Sequence, residues 1–378
     1  MKNNNKPVLA FFTSAQGGLS HYVIHLYGPI SKYVKPYYIT YSDTVVDDLV
    51  QQNVNKVYQL LKNGSAFSIS NTLRFLQQKK IRYINFHIGT TARKYSLYYT
   101  ALLSKAHLQG IKIIGTMHDV MPFEASNEDP AALDLLYSCV DHYVVGNEVE
   151  LSKLQLYFQI PKKKIDIIQH GPYTLFDNKK YTKETARKEL KILANKKVIL
   201  FFGLLRPYKG LKYLIKAFKY VIKEIPNSWL YISTDLSYSP QFNEYLSRIE
   251  KTGASKYIQL VRDYIPSDKI EAVFKAADLV VLPYTQISQS GILGLAYAFR
   301  KPVVVTDIFP DVNTIERRFG GVAKIADENS LAKKIIELLS KPTKELEKMG
   351  NEGYKHSIQQ SSWQQAAQKI HQIIKNCS

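Results

Sequence analysis

The sequence predicts an α/β fold with two domains, each a parallel sheet covered by helices on both faces. Three observations carry this. Buried-strand patterns alternate with helical ones along the chain, and such alternation builds parallel sheets. The 378 residues are enough for two cores of ordinary size. A Lys-rich polar stretch, LFDNKKYTKETARKELKILANKK, interrupts the alternation and puts the boundary near residue 178.

Composition narrows the class. With 45% hydrophobic and 22% charged residues, the chain reads as a soluble globular protein. No run of about 20 apolar residues occurs, so no membrane span is expected. The stretch PVLAFF near the N-terminus reads as a first strand, not as the core of a signal peptide. Cys139 and Cys377 are far apart and suggest neither a disulfide framework nor a metal site, which points to a reducing, cytoplasmic compartment. The net charge of +19 is spread over both halves of the chain. A diffuse excess of this kind suits an anionic surface or a polyanionic ligand. Nucleic acid is not expected as a partner, because no helix-turn-helix, zinc-finger or RNA-binding pattern is present.

PVLAFF leads into a turn at Gly17 and Gly18, where backbone approaches a ligand closely, and then into a helix carrying Val23, Leu26 and Tyr27. YVKPYYITYS and KVYQLL follow as strands, joined by a polar connection. FSISNTLRFLQQKK is a helix, and IRYINFHIGT a strand ending at His87 and Gly89. After the helix ARKYSLYYTALLSKAHLQG, the strand IKIIGTMHDV ends on His118 and Asp119. Ligands of such sheets bind beyond the carboxyl ends of the strands. His118 is therefore singled out, with His87 and His170 ranked behind it. The other histidines are read as structural.

The second half repeats the alternation, beginning with VILFFGLLRPYKGLKYLIKAF, residues 198–218. This is a buried strand, a turn opened by Gly203, and a helix from about Gly210. Arg206 and Lys209 lie between strand and helix. A loop entering a helix aims N–H groups and the positive end of a dipole at one point. A guanidinium and an ammonium added there make a site for a doubly charged anion such as a diphosphate. The alternative is two solvated charges in a basic protein. Further on, LVVLPY ends at Pro283, and Ser288, Gln289, Ser290 and Gly291 form a polar turn entering an apolar helix. That turn is a second set of N–H donors, or a simple N-cap.

Taken together, GGLSHYV, TMHDVMP, IIQHGPY, FFGLLRPYKGLKYLIKAF, LVRDYIP, SQSGILGLAYAFRKPVVVTD and SSWQQAAQKIHQII resemble, in order, the motifs of the family 4 retaining glycosyltransferases. The resemblance covers nearly the whole chain. It implies the GT-B fold, two Rossmann-like domains whose parallel sheets face each other across a cleft. Residues 1–178 would form the acceptor-side domain and residues 179–360 the nucleotide-sugar domain. Residues 361–378 would form a terminal helix packing back on the first domain. A UDP-, GDP- or similar nucleotide-sugar is the implied donor, with no metal and no other cofactor. Arg206 and Lys209 would hold the diphosphate, aided by Gly203 and by backbone N–H groups near Gln289, Ser290 and Gly291. Tyr264 and Ile265 would lie by the base. His118 would contact the donor sugar, and Gly17 and Gly18 would let their loop close over the phosphates or the acceptor.

The sequence departs from the family pattern at two positions. Where the family carries two glutamates around the donor helix, this chain has Ile287 and Leu295. Neither accepts a hydrogen bond from a hydroxyl. Asp311 and Glu316 are the remaining candidates for nearby polar contacts. The acceptor implied by the resemblance is a glycan or a lipid carrier. The helix bearing Arg93, Lys94, Tyr95, Tyr98, Tyr99 and Lys105 would rest on an anionic membrane surface, or else cover the sheet with a solvated basic face. Two other readings stand beside transfer: a nucleotide-sugar-binding protein without transferase activity, and an epimerase of similar two-domain shape. A nicotinamide dehydrogenase is disfavoured, because no G-x-G-x-x-G follows the first strand.

Overall fold

Short runs of β-branched and aromatic residues form the strands, and those inside each sheet are buried on both faces. In a computed structural model, residues 6–121, 130–234, 242–263 and 265–377 are described. The chain divides into two compact units, Met1–Gly171 with Ser361–Ser378, and Pro172–Gln360.

The first unit holds strands β1 (Val8–Phe12), β2 (Lys35–Tyr41), β3 (Val57–Leu61), β4 (Tyr83–Ile88), β5 (Lys112–Met117), β6 (His142–Val145) and β7 (Ile165–Ile167). They pair in the order β3-β2-β1-β4-β5-β6-β7, all parallel. The second unit holds β8 (Lys197–Phe202), β9 (Ser228–Ser233), β10 (Ile258–Val261), β11 (Leu279–Leu282), β12 (Val303–Thr306) and β13 (Gly320–Ala323). Their order is β10-β9-β8-β11-β12-β13, again all parallel.

Both sheets reverse their winding beside their first strand. The reversal falls between β1 and β4 in one unit and between β8 and β11 in the other. At such a switch point the connections leaving two adjacent strands cross to opposite faces of the sheet, and ligands bind beside the strand ends there. Gly17, Gly18, Gly203, Arg206, Lys209 and the turn at residues 288–291 lie on those loops, and His118 follows the next strand, β5.

Each unit has its own core. Phe12, Ile84, Phe86, Tyr99, Leu102 and Ile113 belong to the first. Ile199, Phe201, Leu214, Ile215, Phe218 and Val304 belong to the second. The helix Leu211–Glu224 buries Leu211, Leu214, Ile215, Phe218 and Val221 at the helical spacing read from the sequence.

The helix Trp363–Asn376 is opened by a capping box, in which Ser362 and Gln365 satisfy each other's backbone N–H groups. It buries Trp363, Ala366, Ala367, Ile370, Ile373 and Ile374 in the first unit, against the helix Gly18–Ile30.

Two sequence expectations are corrected here. The polar connection between β2 and β3 contains a helix, Asp48–Asn53, started by the Asp47 carboxylate accepting from the Leu49 N–H at 2.9 Å. The basic aromatic segment is not one surface helix. It breaks at Tyr95 into Thr90–Lys94 and Ser96–Leu108. Arg93, Tyr98 and Tyr99 point into the core, and Arg93 is 2% exposed. The physical reason is a partner the sequence does not show: the Arg93 guanidinium grips Asp119 at 2.8 and 3.2 Å. Of the six residues read as a membrane face, only Lys94 and Lys105 are exposed.

Candidate active site

In the second unit, the chain leaving β8 turns at Gly203 with a φ of +110° and makes a short 3₁₀ turn, Pro207–Lys209. Gly210, with φ +69°, then opens the helix Leu211–Glu224. The left-handed conformation favours glycine there, and a second constraint demands it. A Cβ on Gly210 would sit 1.8 Å from the carbonyl oxygen of Pro283, just past β11. The Thr285 N–H also donates to the Tyr208 carbonyl at 2.7 Å. The loops after β8 and β11 are thus in contact at the switch point.

Lys209 is buried in this loop, 9% exposed. Burial, and secondarily the Arg206 guanidinium, pull its pKa down to about 8. Arg206 is exposed. Among the described residues neither cation is paired with a carboxylate. Two adjacent cations without a carboxylate partner are chemically suited to an anion. Gly203 keeps this site open: a Cβ there would lie 2.9 Å from Lys209 Nζ and 3.3 Å from Ile292 Cδ1.

The contact with Ile292 brings the second loop to the same place. Ser290 caps the helix Gly291–Ala298, its hydroxyl accepting from the Leu293 N–H at 3.2 Å. The Oε1 of Gln289 is enclosed, with no hydrogen-bond partner among the described residues. Gly203, Arg206, Lys209, Gln289, Ser290 and Gly291 therefore share one end of one sheet. Ile265 is half-buried after β10, and Tyr264 lies outside the described residues. Leu295 packs in the core, and Ile287 is partly buried in the turn. Glu316 is engaged by the Val322 N–H and Lys334. Asp311 lies 3.9 Å from His356.

In the first unit, Gly17 (φ +81°) ends the turn after β1, and Gly18 is the first residue of the helix Gly18–Ile30. His118 follows β5, half-buried, and its backbone N–H donates to the Ile88 carbonyl at 3.0 Å. The Nε2 of His118 lies 3.0 Å from Nδ1 of His87, a buried residue on β4. Burial keeps His118 neutral, with its pKa pushed down to about 4, against a small opposing pull from Asp119. His87 is held well below the usual imidazole value by burial and by His118. Tyr22 stands against both, its ring centroid 5.3 Å from each, and 4.8 Å from that of His170. Trp363 from the terminal helix packs on Tyr22 at 5.0 Å.

Sequence reasoning missed Asn85, Tyr22, Trp363 and Gly210 as parts of these two clusters. Gly210 had a signal, a glycine directly ahead of an amphipathic helix. The other three had none, because they meet only through the parallel pairing of β4 with β5 and the docking of a distant helix.

Two parallel sheets of this strand order, one per unit, define the GT-B class of α/β proteins. The Anabaena protein HepE, solved in complex with UDP-glucose, matches over 98% of this chain and 99% of its own, with a TM-score of 0.76 and 15% sequence identity. Residues 182–356 match the family described as glycosyl transferases group 1. The D-inositol 3-phosphate glycosyltransferase of Segniliparus rotundus is 27% identical over 230 residues, 60% of this chain and 50% of that protein. The GDP-mannose:glycolipid 4-beta-D-mannosyltransferase of Xanthomonas campestris pv. campestris is 25% identical over 205 residues, 54% of this chain and 52% of that protein. The chain spans about half the length of the curated relatives it matches. Among the described residues no helix is long and apolar enough to cross a membrane.

Proposed function

We propose that the protein is a retaining glycosyltransferase, moving a sugar from a UDP- or GDP-sugar to a glycan or lipid-linked acceptor. The observation that carries this reading is the pair Arg206 and Lys209, uncompensated at the switch point of the second sheet. Glycosyl transfer breaks the anomeric C–O bond, and negative charge grows on the departing diphosphate. Fixed cations and the N–H groups of the helix Gly291–Ala298 stabilise that charge where it develops. An anion beside Lys209 also restores the ammonium that burial disfavours, so binding and protonation reinforce each other.

His118 is assigned to the donor sugar, and Gly17 and Gly18 to a loop over the phosphates or acceptor. The base site is assigned to Ile265 and to Tyr264. Retention fits an acceptor that attacks on the leaving group's own side, with a phosphate oxygen taking its proton. Transfer is proposed to be metal-independent, because the two cations already meet the diphosphate's charge. The net charge of +19 supports attraction to an anionic membrane surface, now resting on dispersed lysines and not on one amphipathic helix.

A thermal-shift series with UDP, GDP, ADP, dTDP and CDP and their sugar conjugates tests the reading. One nucleotide family is expected to raise stability by about 2.7 kcal/mol at a hundredfold excess over Kd. Lys209→Ala is expected to abolish the shift, and a chelator to leave it unchanged. No shift with any nucleotide overturns the donor assignment. The absence of glutamates at Ile287 and Leu295 favours one second reading, a nucleotide-sugar binder without turnover. Hydrolysis of the donor that binds, or transfer from it, separates the two.

A further inference from the structure

The side chains around His118 fix more than its place. Asn85 lies on β4 and its amide nitrogen is 3.2 Å from the Ile114 carbonyl and 2.8 Å from Thr116 Oγ1. A carbonyl only accepts, so the nitrogen must be the atom on that side and Oδ1 must face the other way. Oδ1 lies 2.9 Å from His87 Nε2. An amide oxygen also only accepts, so His87 carries its proton on Nε2. In a neutral imidazole the remaining nitrogen, Nδ1, is then an acceptor. That acceptor is 3.0 Å from His118 Nε2, which must donate to it. The direction of every hydrogen bond in the chain follows from a single backbone carbonyl.

We infer that His87, oriented by Asn85, is a positioning residue that holds His118 as the neutral Nε2–H tautomer, with Nδ1 as its accepting nitrogen. The ring has little freedom to escape this. Arg93 pins Asp119, the next residue, through both carboxylate oxygens. The buried Glu150 carboxylate accepts the Val120 N–H at 2.7 Å, and the Tyr137 hydroxyl donates to the Val120 carbonyl at 3.0 Å. The consequence is a chemical polarity. In this tautomer Nδ1 only accepts, so a ligand group that meets it is a donor such as a hydroxyl and not an ionised phosphate oxygen. Its depressed pKa agrees, since a neutral ring supplies no charge to the diphosphate.

The functional weight of this inference rests on the proposed contact of His118 with the donor sugar, but the tautomer does not. Long-range ¹H–¹⁵N correlation spectra of the ligand-free protein at pH 7 read it directly. The expected pattern for His118 is a protonated, pyrrole-type Nε2 and a pyridine-type Nδ1. In His87→Phe the acceptor is lost and the pattern should collapse to a tautomer mixture. In His87→Asn, an amide oxygen near the old Nδ1 position should restore it. UDP-glucose turnover should fall about tenfold in His87→Phe and recover in His87→Asn, with UDP affinity unchanged in both. A wild-type His118 protonated on Nδ1, or averaged between tautomers, overturns the relay whatever the turnover. A correct tautomer with no turnover on any donor leaves the relay standing and rejects transfer.

Discussion

Lys209 and Gly210 show how much chemistry adjacent residues can carry. Lys209 is an ammonium drawn into a loop with the Arg206 cation beside it and no carboxylate partner among the described residues, so its pKa of about 8 belongs to the ligand-free protein. Nucleotide affinity should therefore hold below pH 8 and weaken as pH rises through it, in a calorimetric titration from pH 7 to 9.5. An affinity flat across that range would remove Lys209 from the diphosphate site. Arg206→Ala, which removes one charge-assisted contact, should weaken binding by about 1.5–3 kcal/mol at pH 7. Gly210→Ala should fail for a different reason. The left-handed backbone costs about 1–2 kcal/mol for a residue with a Cβ, and that Cβ would meet the Pro283 carbonyl besides. Urea unfolding should register a loss larger than the backbone cost alone. The cations were legible in the sequence because residue type and position after a strand suffice to suggest an anion. The Pro283 contact was not, because it depends on a strand about 80 residues later becoming the neighbour of β8, Leu279 pairing with Ile199.

At the scale of elements, periodicity told strands from helices, and parallel pairing followed from their alternation. Strand order and register did not follow, since several neighbours satisfy the same apolar run. That gap hid the Asn85–His87–His118 chain, which exists because His87 on β4 pairs with Thr116 on β5. It also hid the role of Arg93, whose charge argued for the surface until Asp119 was placed beside it. The terminal helix is the element with the clearest energetic test. Trp363 is 6% exposed and packs on Tyr22, His25 and His170. Trp363→Ala should cost the first unit about 3–5 kcal/mol, the range for emptying a large aromatic site. Circular dichroism in urea checks this, and a loss below about 1 kcal/mol would mean the helix is only loosely docked.

For the molecule as a whole, the two units carry different titrating groups, and acid should separate them. Unfolded imidazoles bind protons near pH 6.5, whereas folded His118 does so near 4 and His87 well below 6.5. Between those values the unfolded state holds more protons, so first-unit stability rises with pH and is lost as pH falls from 6.5 toward 4. The chain has two tryptophans, Trp229 in the second unit and Trp363 in the first. Single-tryptophan variants, Trp229→Phe and Trp363→Phe, should thus report different behaviour. Between pH 7 and 5 the Trp363 transition should move to lower urea, and the Trp229 transition should hold. Equal movement of both would assign the acid sensitivity elsewhere.

The first unit is discontinuous in the chain: its sheet ends before residue 171, and its last helix begins after residue 360. During synthesis, all of Pro172–Gln360 is translated before Trp363 exists to pack on Tyr22. Most of the second unit can therefore begin to fold while the first still waits for this helix, with the face of Gly18–Ile30 uncovered. The usual vectorial order, N-terminal domain first, cannot run to completion here. The helix that closes the histidine cluster is translated only after the whole of the second unit.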